Sequence, residues 1–271
     1  MPPSRTLFVT ALFAIASLMA NDACAAEPLC EKTVRWNNDP PYSLRDAQGK
    51  VTGFYIDLVQ EILTKMNCTM KLQEMPWARA LSELEAGRID ILPGALKTTE
   101  RIRFALFSDP INFSSNVLFM KTSAVDKFKL KNLSDISKIN FRLGVQVNVA
   151  YGAEFDQLLK QPAFLKQLTT VYKRHSAWKM VSIDRIDGLI ADEATGLLEL
   201  KALHLDSTIS KTNLVVSSSP GLIAFSKKTI DEDFVGRFNQ HLRTMISSGE
   251  YAKIREKHIP CKLSLRTLGC K

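Results

Sequence analysis

The stretch Gly87-Arg88-Ile89-Asp90-Ile91-Leu92-Pro93-Gly94-Ala95-Leu96-Lys97-Thr98-Thr99-Glu100-Arg101 decides how the rest of the chain is read. A turn glycine, Gly87, stops the helical pattern of Ala78 to Ala86. A short apolar run, Ile89 to Leu92, follows as a strand. Pro93 and Gly94 close the strand, two threonines mark a helix start, and Arg101 stands just beyond. Helix–turn–strand–turn is half of an α/β unit. An arginine past the C-terminal end of its strand sits where such sheets bind ligands.

Working outward, strand-like and helix-like segments alternate, which predicts an α/β fold with parallel sheets. Upstream, Thr33 to Trp36 and Thr69 to Gln73 read as strands. Tyr55 to Met66 sets Ile56, Val59, Leu63 and Met66 on one helical face. After Asn116 the pattern restarts. Strands are expected at Phe141–Gln146, Leu168–Tyr172 and Ile186–Ile190, and helices at Tyr151–Leu159 (ended by Pro162), Ser176–Ile183 and Thr195–Leu203. Two apolar runs, Asn213–Val216 and Leu222–Phe225, flank Ser217-Ser218-Ser219-Pro220-Gly221. Helices at about Glu232–Ser247 and Tyr251–Lys257 finish the chain.

One internal echo ties the two halves together. Arg88-Ile89-Asp90 recurs as Arg185-Ile186-Asp187, each time after a helix and before a short strand. The first strand leads to Gly94 and Arg101, the second to Asp192 and Glu193. One half therefore offers a cation and the other a carboxylate, a pair suited to a small zwitterion carrying a carboxylate and an ammonium.

The chain has 271 residues, 45% of them hydrophobic, enough for one large domain or two smaller ones. Its net charge is +8, but Lys and Arg are scattered. Without a basic stripe, a nucleic-acid partner is not expected. Arg5 followed by the apolar run Leu7 to Ala20 reads as a signal peptide, too short for a membrane span. Ala23-Cys24-Ala25 places small residues for cleavage after Ala25, with Ala26 as the close alternative. Asn21-Asp22-Ala23 is a poor approach to a lipidated Cys24. The mature protein is expected to be exported and soluble, in the periplasm.

Export changes the reading of the cysteines. Cys30, Cys68, Cys261 and Cys270 remain after cleavage, and an even count in an oxidising compartment favours disulfides over unpaired buried thiols. Cys30 and Cys68 each precede a strand, and neighbouring parallel strands bring their starts together. This favours Cys30–Cys68 among the three pairings and leaves Cys261–Cys270 for the tail. The four histidines show no ligand spacing and no CxxC occurs, so neither a metal nor a cofactor is expected.

The candidate site residues each carry two readings. Arg101 can hold a carboxylate through two parallel hydrogen bonds, or pair on the surface with Glu100 or Asp109. Asp192 can accept an ammonium, or cap the helix that begins near Thr195; the two are compatible. Trp77, after Pro76 at a strand end, can stack on a ligand or pack its lobe. In Asp39-Pro40-Pro41-Tyr42 a rigid loop ends the first strand, and Tyr42 can line a cleft or anchor that loop. Nucleophilic catalysis has little support, since there is no GxSxG and no cysteine beside a base.

At these residues the chain resembles the family 3 periplasmic solute-binding proteins, the polar amino acid receptors of ABC importers. The likeness covers nearly all of the mature chain. It rests on an ordered series: Gly53-Phe54-Tyr55-Ile56-Asp57-Leu58, Gly87-Arg88-Ile89-Asp90, Thr99-Glu100-Arg101, Phe107-Ser108-Asp109-Pro110, Leu143-Gly144-Val145-Gln146, Arg185-Ile186-Asp187-Gly188 with Asp192, Gly221 to Lys227, and Gly249-Glu250-Tyr251. Tyr55 departs from the series, where an acid is usual. Leu96 lacks the hydroxyl often found near it, and Val147-Asn148-Val149 replaces a Gly-Thr-Thr-like turn.

The resemblance implies a two-lobe type II binding-protein fold with two hinge crossings and a cleft between the lobes. Lobe 1 would span 27–112 and 220–271, and lobe 2 113–219. It implies that Arg101 binds the ligand's α-carboxylate, Asp192 its α-amino group, and Trp77 forms the wall. Gly94, Leu96, Gln146 and Asn148 to Ala150 would add backbone and small-residue contacts, with Tyr42 and Asp39 beside them. The expected partners are an amino-acid-like ligand and an ABC permease of the inner membrane, with the protein itself a monomer. The alternative is an enzyme on the same fold, a cyclohexadienyl or arogenate dehydratase, which would need a cleft acid; Glu193 is the candidate. A sensor or a cell-wall lytic module usually carries further domains, and only about ten residues follow Pro260.

Overall fold

The computed structural model describes Met1 and residues 30–259. The expected leader beyond Met1, the Cys261–Cys270 pairing and the tail lie outside the described residues. The first half contains β1 (Cys30–Trp36), a small ribbon of β2 (Leu44–Arg45) and β3 (Val51–Thr52), α1 (Phe54–Lys65), β4 (Cys68–Glu74), α2 (Trp77–Ala86), β5 (Ile91–Ala95), a 3-10 turn at Arg101–Arg103 and β6 (Ala105–Phe107). Then come β7 (Asn112–Lys121), α3 (Thr122–Phe128), a 3-10 turn at Leu133–Lys138, β8 (Leu143–Gln146), α4 (Ala153–Leu158), α5 (Pro162–Leu165), β9 (Leu168–Val171), α6 (Arg174–Ser182), β10 (Gly188–Asp192) and α7 (Glu193–Ala202). β11 (Ile209–Ser226), α8 (Glu232–Ser248) and α9 (Glu250–His258) complete it.

The strands follow the order β4-β1-β5-β11-β7-β10-β8-β9, with β6 paired to β11. The outer strands are parallel as expected: β4–β1–β5 on one side, β10–β8–β9 on the other. The middle is not. β11 runs antiparallel to β5, β6 and β7, and β7 antiparallel to β10. The two apolar runs that flank Ser217 to Gly221 are parts of one strand, because β11 passes straight through that stretch. The reason is its partner: β7 pairs with β11 from Lys121↔Ile209 to Asn112↔Gly221, and β5 takes over at Leu222. Pro220, which cannot donate to a ladder, lies next to this change of partner.

Apolar burial divides the molecule around these two long strands. One pair of cores gathers Val34, Phe54, Leu58, Ile62 and Ile91 with Ile223, Phe225, Phe238 and Leu242, and Ala80, Leu84 and Leu92 beside them. Another pair gathers Leu118, Phe141, Leu143 and Ile190, and Phe119, Trp178 and Leu189. Of the expected stripe of α1, Ile56, Val59 and Leu63 are buried, while Met66 falls at the C-cap and packs only partly buried against the same core. Gly87, at φ 76°, ends α2 in the left-handed region. Pro162 does not merely end a helix; it opens α5 at the first helical position, where its missing N–H costs nothing.

The repeated triplet does the same work twice. Arg88 and Ile89 both donate backbone N–H groups to Glu83 O; Arg185 and Ile186 do so to Met180 O. The Asp90 carboxylate accepts from Thr33 N at 2.7 Å, and that of Asp187 from Arg142 N at 2.7 Å. Asp90 thereby ties its strand to the middle of β1, and Asp187 fixes the start of β8. β5 and β10 then deliver their C-terminal ends to one place. Cys30 and Cys68 are register partners at the starts of β1 and β4 and form a disulfide, with Cα atoms 4.7 Å apart.

Candidate functional site

A cleft of about 620 Å³ opens where the strand ends of the two halves meet. Such a volume suits a small molecule. Asp39, Tyr42, Trp77, Gly94, Leu96, Arg101, Gln146, Ala150 and Asp192 all line it. Asn148 is not among the lining residues; it takes part through its carbonyl.

Arg101 follows β5 on a single turn. Thr98 supports that turn, its Oγ1 accepting from Arg101 N at 3.2 Å. The expected helix start is thereby corrected to three 3-10 residues, so no macrodipole adds to the charge. Only 6% of Arg101 is exposed. Its Nη1 donates to Leu96 O at 3.0 Å and its Nη2 to Asn148 O at 3.1 Å. No carboxylate of the described residues forms an ion pair with it, and Asp109 is taken by Arg243. A guanidinium has five N–H donors, so these two bonds hold the group without using up its capacity for an anion. Burial pulls its pKa below the usual arginine value.

Trp77 stands at the first turn of α2. Its Nε1 donates to the same Asn148 carbonyl at 3.0 Å, and the Arg101 and Arg35 guanidiniums lie 5.5 and 5.7 Å from its ring centre. Asn148 adopts φ 57°, a left-handed turn that Asn tolerates, and so aims its carbonyl across the cleft. Gln146, at the end of β8, donates its backbone N–H to Tyr151 Oη at 2.8 Å. Burial raises the Tyr151 phenol to about 12, so it stays protonated.

Asp192 ends β10. Its Oδ1 accepts from Thr195 N at 2.9 Å, capping α7, and its Oδ2 accepts from Tyr42 Oη at 3.3 Å. Tyr42 does two jobs, since it lines the cleft and stacks on Tyr55 with ring centres 4.5 Å apart. Tyr55 explains its own departure from the family series. It is 9% exposed, donates to Asn112 Oδ1 at 3.1 Å and lies beneath the cleft. Burial, with the charges of Asp192 and Asp39 adding to it, pushes its pKa well up. Gly94 is required here: at φ 79° a Cβ would meet the Tyr55 ring at 2.6 Å.

Sequence reasoning missed an ion cluster at the other end of the cleft. Arg174, at the start of α6, donates to Asp39 Oδ1 at 2.5 Å, to both Glu199 oxygens at 2.8 and 2.9 Å, and to Gln146 Oε1 at 3.2 Å. Trp178 Nε1 adds a 2.6 Å bond to Glu199. Burial alone would lower the Arg174 pKa, but Asp39 and Glu199 override it and raise the group above its usual value. Arg35, in β1, was also missed; its Nε donates to Met75 O at 3.1 Å. The one available signal for Arg174 was its place just past β9, at a strand end like that of Arg101. Glu193, the acid considered for dehydration chemistry, pairs with Lys211 and does not line the cleft.

The family description "Bacterial extracellular solute-binding proteins, family 3" matches residues 33–260. The chain is 25% identical over 257 residues to an arginine-binding periplasmic protein of Mannheimia haemolytica, covering 93% of this chain and 97% of that one. It is 23% identical over 219 residues to the L-cystine-binding protein TcyJ of Escherichia coli (strain K12), covering 80% and 78%. An ABC uptake transporter substrate-binding protein from Streptococcus pneumoniae with bound histidine shares the fold. That structure has a TM-score of 0.72 at 23% identity, over 84% of this chain and 92% of that one.

Proposed function

We infer that this chain, which belongs to the bacterial extracellular solute-binding proteins of family 3, is a receptor that captures an amino acid or a similar small zwitterion between its lobes. One observation carries the reading: a buried guanidinium, Arg101, and a strand-end carboxylate, Asp192, line one cleft from opposite halves. In this reading Arg101 takes the ligand carboxylate through two parallel charge-assisted hydrogen bonds. Asp192 takes the ammonium while still capping α7. Trp77 and Tyr42 supply flat walls, with Gly94, Leu96, Gln146, Asn148 and Ala150 shaping the remainder.

The matched relatives are named for binding cystine and arginine. Transfer of that role here makes the chain a periplasmic monomer whose closed form docks on an ABC permease. Glu193, the acid nominated for the dehydratase alternative, does not line the cleft. The test is a thermal-shift screen of the mature, ligand-stripped protein against the amino acids, with arogenate and prephenate included, followed by calorimetry and product analysis. A tight amino acid recovered intact is the expected result. Conversion of arogenate or prephenate, or shifts only with non-zwitterions, would overturn the reading.

A further inference from the structure

Beyond the Arg101–Asp192 clamp, the charges lining the cleft include Arg35, Asp39, Arg174 and Glu199. A cationic ligand side chain needs an acid here, and both acids are engaged. Asp39 is held by Arg174 at 2.5 Å, and Glu199 is held by Arg174 and by Trp178. The protein has placed its own guanidinium where a basic side chain would seek a partner. Arg35 is different. It is 6% exposed, lines the cleft, and among the described residues donates only through Nε, to Met75 O. No carboxylate oxygen of the described residues forms an ion pair with it. The other charges felt at Arg35 are attraction from Asp39 and repulsion from Arg174. An added cation would meet repulsion from two guanidiniums. An added acceptor would meet the terminal N–H groups of a desolvated arginine, where a hydrogen bond to charge is strong.

Resting on the receptor reading, we propose that the ligand's side chain ends in a hydrogen-bond acceptor, a carboxylate or a carboxamide oxygen, and that Arg35 is the residue that selects it. Basic amino acids are disfavoured because Asp39 and Glu199 are already bonded to Arg174 and because Arg35 repels a second cation. The experiment is calorimetry on the ligand-stripped mature protein with L-glutamate, L-glutamine, L-alanine, L-lysine and L-arginine. Glutamate or glutamine is expected to bind at least about tenfold tighter than lysine and arginine, the scale of one hydrogen bond to a charged group. Arg35→Met should lower the ratio of glutamate or glutamine affinity to alanine affinity by about tenfold or more. Arg35→Gln, which keeps a donor, should lower it less. The wild-type ranking needs no variant to fold, and melting curves report whether the variants do. Lysine or arginine binding as tightly as the best acceptor ligand would overturn the inference and leave the receptor intact, as would an unchanged ratio in a folded Arg35→Met. Binding of none of the five would overturn this inference, and the receptor reading falls separately, if the thermal-shift screen shows shifts only with non-zwitterions.

Discussion

Replacing Arg174 with methionine should destabilise the protein far more than removing the whole cluster to which it belongs. Arg174 answers two carboxylates at once, and its side chain is 15% exposed, as is that of Glu199, while Asp39 is 30% exposed. Methionine fills most of the volume but leaves both acids facing each other with no cation between them. Breaking a buried pair from one side costs about 3–5 kcal/mol. The Asp39 share is partly screened by solvent, which places the expected loss near the lower end, about 3 kcal/mol. For a chain of this size that corresponds to a melting temperature lower by roughly 6–12 °C. The triple change Arg174→Met, Asp39→Asn and Glu199→Gln removes the orphaned charges and should recover most of the loss. Calorimetric melts of the ligand-stripped protein at neutral pH make the comparison. A single variant within about 2 °C of wild type, or a triple variant no better than the single, would refute the reasoning.

Four further outcomes are expected. Arg101→Ala should raise the ligand Kd by about 10²–10⁴-fold, the loss of two charge-assisted hydrogen bonds; an unchanged Kd by calorimetry would remove Arg101 from the site. Reducing Cys30–Cys68, which spans 38 residues of sequence, should cost about 2–4 kcal/mol in urea melts, and a Cys30→Ser, Cys68→Ser variant should match the reduced protein. Burial would raise the Asp57 carboxyl, but bonds from His258, Lys257 and Thr52 outweigh it and hold the group well below its ordinary 3.8. Its stabilisation is therefore full above about pH 4 and lost as pH falls through the depressed value. Asp57→Asn should cost about 1–3 kcal/mol at neutral pH and flatten the acid limb, and parallel acid limbs would count against it. Gly94→Ala forces a Cβ against the Tyr55 ring at positive φ and should cost about 1–3 kcal/mol, read as a lower melting temperature.

The outer strands and most of the helices, though not the short α3 and α5, were legible because each is set by its own periodicity and its own stop. Gly87 ends α2, Gly249 ends α8, and the stripe of α1 points inward without help from distant residues. The centre was not legible for a matching reason. β7 lies in a stretch of mixed polar and apolar residues, Asn112 to Lys121, whose strand character comes from pairing on both sides with β10 and β11. Nothing local distinguishes Ser217 to Pro220 from a loop; only the facing strand does. The tripeptide echo was readable because its job is local on one side, capping a helix, and only then reaches across to Thr33 or Arg142.

The site divides along the same line. Arg101 and Asp192 could be nominated because one follows and the other ends a strand that the repeated Arg-Ile-Asp triplet marks in sequence. The ion cluster could not, since Arg174 meets Asp39 across 135 positions and Glu199 across 25. The two parts also differ in what they demand of the fold. Arg101 and Trp77 reach a carbonyl of the other half, Tyr42 reaches Asp192, and Asp39 reaches Arg174. These bonds cross the cleft between protein groups, so they contribute to the closed arrangement beside whatever a ligand adds. A ligand shifts the balance toward closure only by what it adds in the closed arrangement. Under the receptor reading, that addition comes from the Arg101–Asp192 pair and from Arg35, the cleft guanidinium that no protein carboxylate pairs with among the described residues.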